Sequence, residues 1–224
     1  MLLDIIASSN WKRPLCFAAS NSVSHCFNVD SFMLVQGWVY KFMPVKASPE
    51  DYIQGMGGVD PITSSDIFLN KCAWGNLNDP HVYVDPESLN NSVRPKTNIL
   101  RASQALVDAK KETDAVALMD VYFKYFPDSK IPYDMYVLPF SELYFKAGEN
   151  KKATDLIERI SEIYSQNIDY YLSFRGKFAE YYQEDIQTAL GMIKRMQSVA
   201  GQFKQDKLAA KMDSLFNAKV KSYQ

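Results

Sequence analysis

The spacing of apolar residues changes near residue 85, and the two patterns predict different structures. Leu2 to Ser8 repeats at helical period, and Pro14 should stop or redirect the chain. Leu15 to Ala19 is a short apolar run that reads as a buried strand. Asp30 is placed to cap a short helical piece through Gln36. Gly37 opens "WVYKFMPV", where Trp38, Tyr40 and Phe42 alternate with Val39, Lys41 and Met43. Aromatic and β-branched residues at period two make this the strongest strand signal in the chain. Pro44 points to an edge strand or a strand end. "KASPEDYIQGMGGVDP" reads as a loop, after which Asp60 and Pro61 form an N-cap and first turn for a helix reaching Lys71. "GNLNDPHVYVDPESLN" is turn, short extended piece and turn, and Asp85–Pro86 repeats the cap signal.

From Asp85 to the C-terminus the period is helical. Breaks near Lys110–Lys111, Pro127–Pro132, Gly148–Asn150, Asn167, Glu184 and Gly201 divide it into seven helices, the layout of stacked hairpins. Two units share a frame. Leu106, Lys110, Ala115, Met119 and Tyr122, closed by Pro127, align with Tyr144, Gly148, Ala153, Ile157 and Ile160. Large residue, turn, small residue and two apolar residues at these intervals resemble the tetratricopeptide pattern, in which the small residue lets paired helices approach closely. A weaker third unit falls around Ala189 and Ile193, with Glu180 in the aromatic slot. The expected fold is mainly α: tetratricopeptide-like hairpins over residues 86–224. A small α/β unit over 1–85 (helix, strand, strand, helix) precedes them, with about two short strands. The bland alternative is an irregular helical bundle.

Composition narrows the function classes. Apolar residues make up 47% and charged residues 23%, as in ordinary globular proteins. The net charge of −1 provides no global field for nucleic acid or an anionic membrane. The basic stretch Lys204–Lys219 is interrupted by Asp206 and Asp213 and reads as a solvated helix face. No run approaches the roughly 18 apolar residues of a membrane span. "MLLDIIA" is too short for a signal sequence and contains Asp4. It reads as the end of an amphipathic helix, so the chain is expected to begin inside structure.

Candidate chemistry is sparse. Cys16, Cys26 and Cys72 lack CxxC spacing, which argues against a disulfide framework, though a single bridge stays open. His25–Cys26 and His81 do not make a zinc ligand set. Gly55, Gly57 and Gly58 lack the flanking residues of a phosphate loop. No nucleophile–histidine–acid arrangement can be assembled from two histidines. Carboxylate pairs such as Glu50–Asp51 and Glu184–Asp185 lie in loops or at helix starts, where the helix dipole accounts for them. Tyr164, Tyr170, Tyr171, Tyr181 and Tyr182 could stack on carbohydrate, but their helical spacing favours hairpin packing. No cofactor and no metal are expected.

Three stretches carry a further resemblance. Asn10–Trp11–Lys12–Arg13–Pro14 with Phe17–Ala18, Gly37 with Tyr40, Pro44 and Val45, and Trp74–Gly75–Asn76 with Asn78–Asp79–Pro80 occur in this order before the helical repeats. They resemble the C-terminal soluble region of a bacterial family of large multi-pass membrane proteins whose N-terminal domain is related to protein O-mannosyltransferases. The resemblance implies a lipid-linked-sugar glycosyltransferase whose catalytic acids lie in a membrane domain. No catalytic residue carries over to this chain. It also implies a detached, periplasm-facing region, with a cytoplasmic location if the chain is independent, and a compartment that would permit a Cys16–Cys26 bridge.

The expected function is a non-catalytic accessory domain. It would bind a protein partner or the membrane domain of the same polypeptide through the first helices of the hairpins, at Arg101, Gln104, Tyr136 and Glu142. The rival is a free-standing sugar-binding protein or enzyme with a pocket lined by Trp11, Arg13, Trp38 and Trp74. In the first reading, Trp11 and Pro14 turn a helix into a strand, and Lys12 and Arg13 bond across that corner.

Overall fold

The computed structural model describes residues 2–18, 29–46, 57–91, 93–175 and 180–223. The described chain forms two compact units, Met1–Pro132 and Tyr133–Gln224. The compositional change at residue 85 falls inside the first.

The first unit holds a four-stranded sheet of order β1-β3-β2-β4. β1 (Cys16–Ala18) and β2 (Met33–Gln36) both run antiparallel to β3 (Val39–Phe42), and β4 (Gly58–Val59) runs parallel to β2. The expected two strands are therefore four. Asp30–Phe32 is a single 3-10 turn, and Met33–Gln36 is a strand rather than a continued helix. Gly58–Val59 extends from the glycine-rich segment read as loop. β3 lies inside the sheet, so Pro44 marks an end and not an edge. β1 is an edge strand, with Cys16 and Ala18 exposed, instead of a buried one.

Register places Phe17, Tyr40 and Val35 across one face, next to the Met33–Phe42 pair. Met33 and Val35 are fully buried, and Ile6 from α1 (Leu2–Ser9) packs on the Met33–Phe42 core. Between α1 and β1, Asn10 and Trp11 both take left-handed backbone conformations, φ 46° and 56°. That costs about 1–2 kcal/mol per non-glycine residue. Trp11 stacks on Phe42 at 5.6 Å with nearly parallel rings, and Lys12 N–H closes the turn on the Ser9 carbonyl. The Asn10–Pro14 stretch is a corner from helix to sheet.

Asp60 caps α2 (Pro61–Asp66) by accepting from Thr63 N–H at 3.0 Å, with Pro61 in the first turn. A π-helical turn, Ile67–Lys71, continues α2. Asp85 likewise accepts from Glu87 and Ser88 N–H at the start of α3 (Pro86–Asn91). α4 (Val93–Asp108) packs against α2, β4 and α5 (Glu112–Tyr125).

The second unit contains α6 (Leu138–Lys146), α7 (Asn150–Leu172), α8 (Gln183–Gln202) and α9 (Asp206–Tyr223). α7 packs on the other three helices, and α8 pairs with α9. α7 runs through Asn167 without a break, because one asparagine costs a helix interior little.

The three hairpins, α4–α5, α6–α7 and α8–α9, share one turn. Lys110, Gly148 and Lys204 are left-handed, with φ of 60°, 82° and 56°. The N–H groups of Lys111, Glu149 and Gln205 return to the carbonyls of Leu106, Tyr144 and Ala200 at 2.8–2.9 Å. This is the Schellman closure of a helix end. Ala115 and Ala153 are fully buried five residues after the turn, and Ala209 holds the same slot half-buried. The third unit is thus framed on Lys204. Ala189 and Ile193 are buried on the first helix of that hairpin and do not mark its turn.

Two of the three turns carry lysine where glycine is the unstrained residue. Lys110→Gly and Lys204→Gly should each raise stability by about 0.5–1 kcal/mol, and Gly148→Ala should lower it by about 1 kcal/mol, in chemical denaturation.

Candidate functional site

Three polar residues buried in the first unit, Ser64, Asn98 and Arg101, work as struts. Asn98 Nδ2 donates to the Gly37 carbonyl at 2.8 Å, and Arg101 Nη2 donates to the Gly57 carbonyl. Gly37 N–H donates to Ser64 Oγ at 3.0 Å, and Ser64 Oγ donates to the Val35 carbonyl. Gln36 Nε2 reaches Asp60 Oδ2 at 2.9 Å. Helices α2 and α4 therefore hold both the β2–β3 turn and the start of β4. Buried backbone carbonyls without partners would cost about 1–3 kcal/mol each, which is why polar side chains persist in this interior.

Partial burial of Asp60 pushes its carboxyl upward. Hydrogen bonds from the Thr63 hydroxyl and backbone and from Gln36 outweigh this and leave its pKa below the ordinary range. A folded-state pKa below the unfolded value gives stability that is present above about pH 4 and lost as pH falls through the folded value. Asp60→Asn keeps a cap acceptor but should flatten this part of the acid unfolding profile, measured by tryptophan fluorescence against pH.

The tryptophans proposed for an N-terminal pocket do not converge. Trp11 stacks on Phe42, whereas Trp38 and Trp74 lie 6.0 Å apart in another cluster with Phe68, Tyr125 and Phe126. Trp74 is buried, Trp38 is partly exposed, and Arg13 is exposed. Rings in mutual contact at these distances fill space and do not line a cavity. Trp38 Nε1 donates to Cys72 Sγ at 3.3 Å. Burial nevertheless pushes the Cys72 thiol up and leaves it a poor nucleophile at neutral pH. Cys16 is a free, exposed thiol. His25, Cys26, Glu50, Asp51 and Gly55 lie outside the described residues. Among the described residues no cluster of three His, Cys, Asp or Glu could hold a metal ion.

Of the four expected partner contacts, Arg101 and Gln104 lie in the first unit and Tyr136 and Glu142 in the second. Arg101 is fully buried and its Nη2 supports the Gly57 carbonyl, so it is not a surface contact. Gln104 is half-buried and donates to Asp108 one turn along. Tyr136 is exposed, and Glu142 lies 3.9 Å from Arg195, both in the second unit. Tyr136 thus lies at the surface, and Glu142 is partly exposed.

The second unit carries two further surface features. Lys211 and Glu158 form an ion pair at 2.6 Å across α9 and α7. The pair separates a groove segment of about 520 Å³ beside Thr154, Lys207 and Leu208 from one of about 490 Å³ beside Ser161, Ser165, Ser214 and Ala218. Sequence reading missed this groove, although small residues four apart on both helices were its visible signal. The tyrosine cluster, in contrast, divides. Tyr164 is half-buried near Asp134, whereas Tyr170, Tyr171, Phe174, Tyr181 and Tyr182 gather where α7 ends and α8 begins.

The molecule is thus mainly helical, built from hairpins that follow a small four-stranded sheet. The sequence model of a family described as TMEM260-associated domain 2 matches residues 1–62, the part that contains α1 and all four strands. No curated protein and no solved structure matches the chain. Among the described residues no helix is long and apolar enough to cross a membrane.

Proposed function

We propose that this chain is a non-catalytic interaction module in the service of a membrane protein of the glycosyltransferase type, facing the periplasm. The recurring hairpin frame carries the reading: one turn geometry at Lys110, Gly148 and Lys204, each followed at the same interval by alanine. Such frames generate tetratricopeptide-like surfaces whose first helices meet partners. The similarity of residues 1–62 to a TMEM260-associated domain supports a membrane-protein setting. In the first unit the buried side chains of Ser64, Asn98 and Arg101 donate to backbone carbonyls, which suits a scaffold. The partner surface then includes Tyr136 and Glu142, and the partner is another protein or the membrane part of the same polypeptide.

A photo-crosslinking residue in place of Tyr136, in the protein expressed from its own locus, tests this. The expected result is one crosslinked product, identified by mass spectrometry and weakened by Glu142→Arg. Crosslinks scattered over many proteins, or a product indifferent to Glu142→Arg, would remove the proposal.

A further inference from the structure

We infer that the aromatic cluster at the α7–α8 bend is a saccharide-binding platform. This goes beyond the interaction-module reading and stands apart from it, since it uses neither Tyr136 nor Glu142. Three rings form the base. Tyr182 stacks on Tyr171 at 5.0 Å and 15°, and on Phe174 at 4.8 Å and 27°. Tyr170 leans edge-on against Phe174, and Tyr181 against Tyr182. These outer two rings remain 59% and 80% exposed. A large ring left in water gains nothing from hydrophobic burial, and here two are propped by neighbours in a set orientation. Their entropy of ordering is therefore partly met before any ligand arrives.

The chemistry around the rings selects the ligand class. Glu180, Glu184 and Asp185 are exposed beside the cluster, and Asp185 bears electrostatically on the Tyr171 hydroxyl. Ring faces suit the C–H face of a pyranose, and carboxylates and phenols at the rim suit its hydroxyl groups. A site for an apolar helix would instead offer aliphatic side chains, yet the large hydrophobic residues most exposed here are both tyrosines.

The whole chain is titrated with maltotetraose, cellotetraose, mannotetraose and chitotetraose, followed by calorimetry and tyrosine fluorescence. At least one sugar is expected to saturate. Affinity should fall about tenfold in Tyr170→Ala and Tyr181→Ala but change by less than about threefold in Tyr181→Phe, which keeps the ring face. Both alanine variants alter exposed side chains, so an unchanged circular dichroism spectrum certifies the fold, and Tyr83→Ala, at an exposed tyrosine of the first unit, serves as a neutral control. No saturation with any of the four sugars overturns the inference. So does binding unmoved by both alanine changes, or saturation by a proline-rich decapeptide instead.

Discussion

Gly57→Ala should unfold the first unit at denaturant concentrations that leave the second unit intact. Gly57 has φ +67°, and a methyl group there would lie 2.2 Å from the Met33 carbonyl oxygen. The obstacle is backbone, and that backbone belongs to β2, the partner of β4, so no side-chain rotation relieves it. The Gly57 carbonyl also receives the buried Arg101 guanidinium. Displacing residue 57 therefore disturbs the sheet and the α4 strut together. Left-handed strain and overpacking each cost about 1–3 kcal/mol, so a combined loss of roughly 3–5 kcal/mol is expected. All three tryptophans, Trp11, Trp38 and Trp74, belong to the first unit, so their fluorescence reports on it alone. The fluorescence midpoint should drop sharply, while part of the helical circular dichroism melts later. An unchanged fluorescence midpoint would mean that β4 does not pair with β2 as described.

Trp74→Ala should be almost as severe and separates two views of the aromatic residues. Trp74 touches four rings: Tyr125 at 5.1 Å, Phe126 at 5.6 Å, and Trp38 and Phe68 at 6.0 Å. Removing it leaves a cavity between the π-helical turn and α5, with an expected loss of about 3–5 kcal/mol. A tryptophan lining an open pocket would instead be lost with little effect on stability. A loss below about 1 kcal/mol in denaturant titration, the range of changes away from a packed core, would revive the N-terminal pocket.

Local signals were legible in the sequence and distant ones were not. Asp60–Pro61 and Asp85–Pro86 cap helices as their chemistry dictates, because a cap involves only neighbouring residues. The turns at Lys110 and Gly148 were readable for the same reason, whereas the third break was expected near Gly201 and its unit around Ala189, ahead of the actual turn at Lys204. β2 was hidden because Met33–Val35 is too short for its period to distinguish strand from helix. β4 was hidden more deeply, since two residues become a strand only when β2 lies alongside. Arg101 misled because a charged residue on a polar helix reads as exposed. Its burial depends on the Gly57 carbonyl, 44 residues away in sequence. The tryptophans misled in the same way, for composition cannot say which ring meets which. At the tyrosine cluster, helical spacing pointed all five rings to hairpin packing, and it could not reveal that Tyr170, in the last turn of α7, and Tyr181, ahead of α8, are exposed.

The central claim is that this chain serves a larger membrane protein as its interaction module. An epitope tag placed after Gln224 at the native locus tests it most directly, with fractionation and protease treatment of spheroplasts. The account predicts a tagged polypeptide well above 25.6 kDa that sediments with membranes and is digested from the periplasmic side. A tagged species of 25.6 kDa, free of membranes and protected in intact spheroplasts, would contradict it.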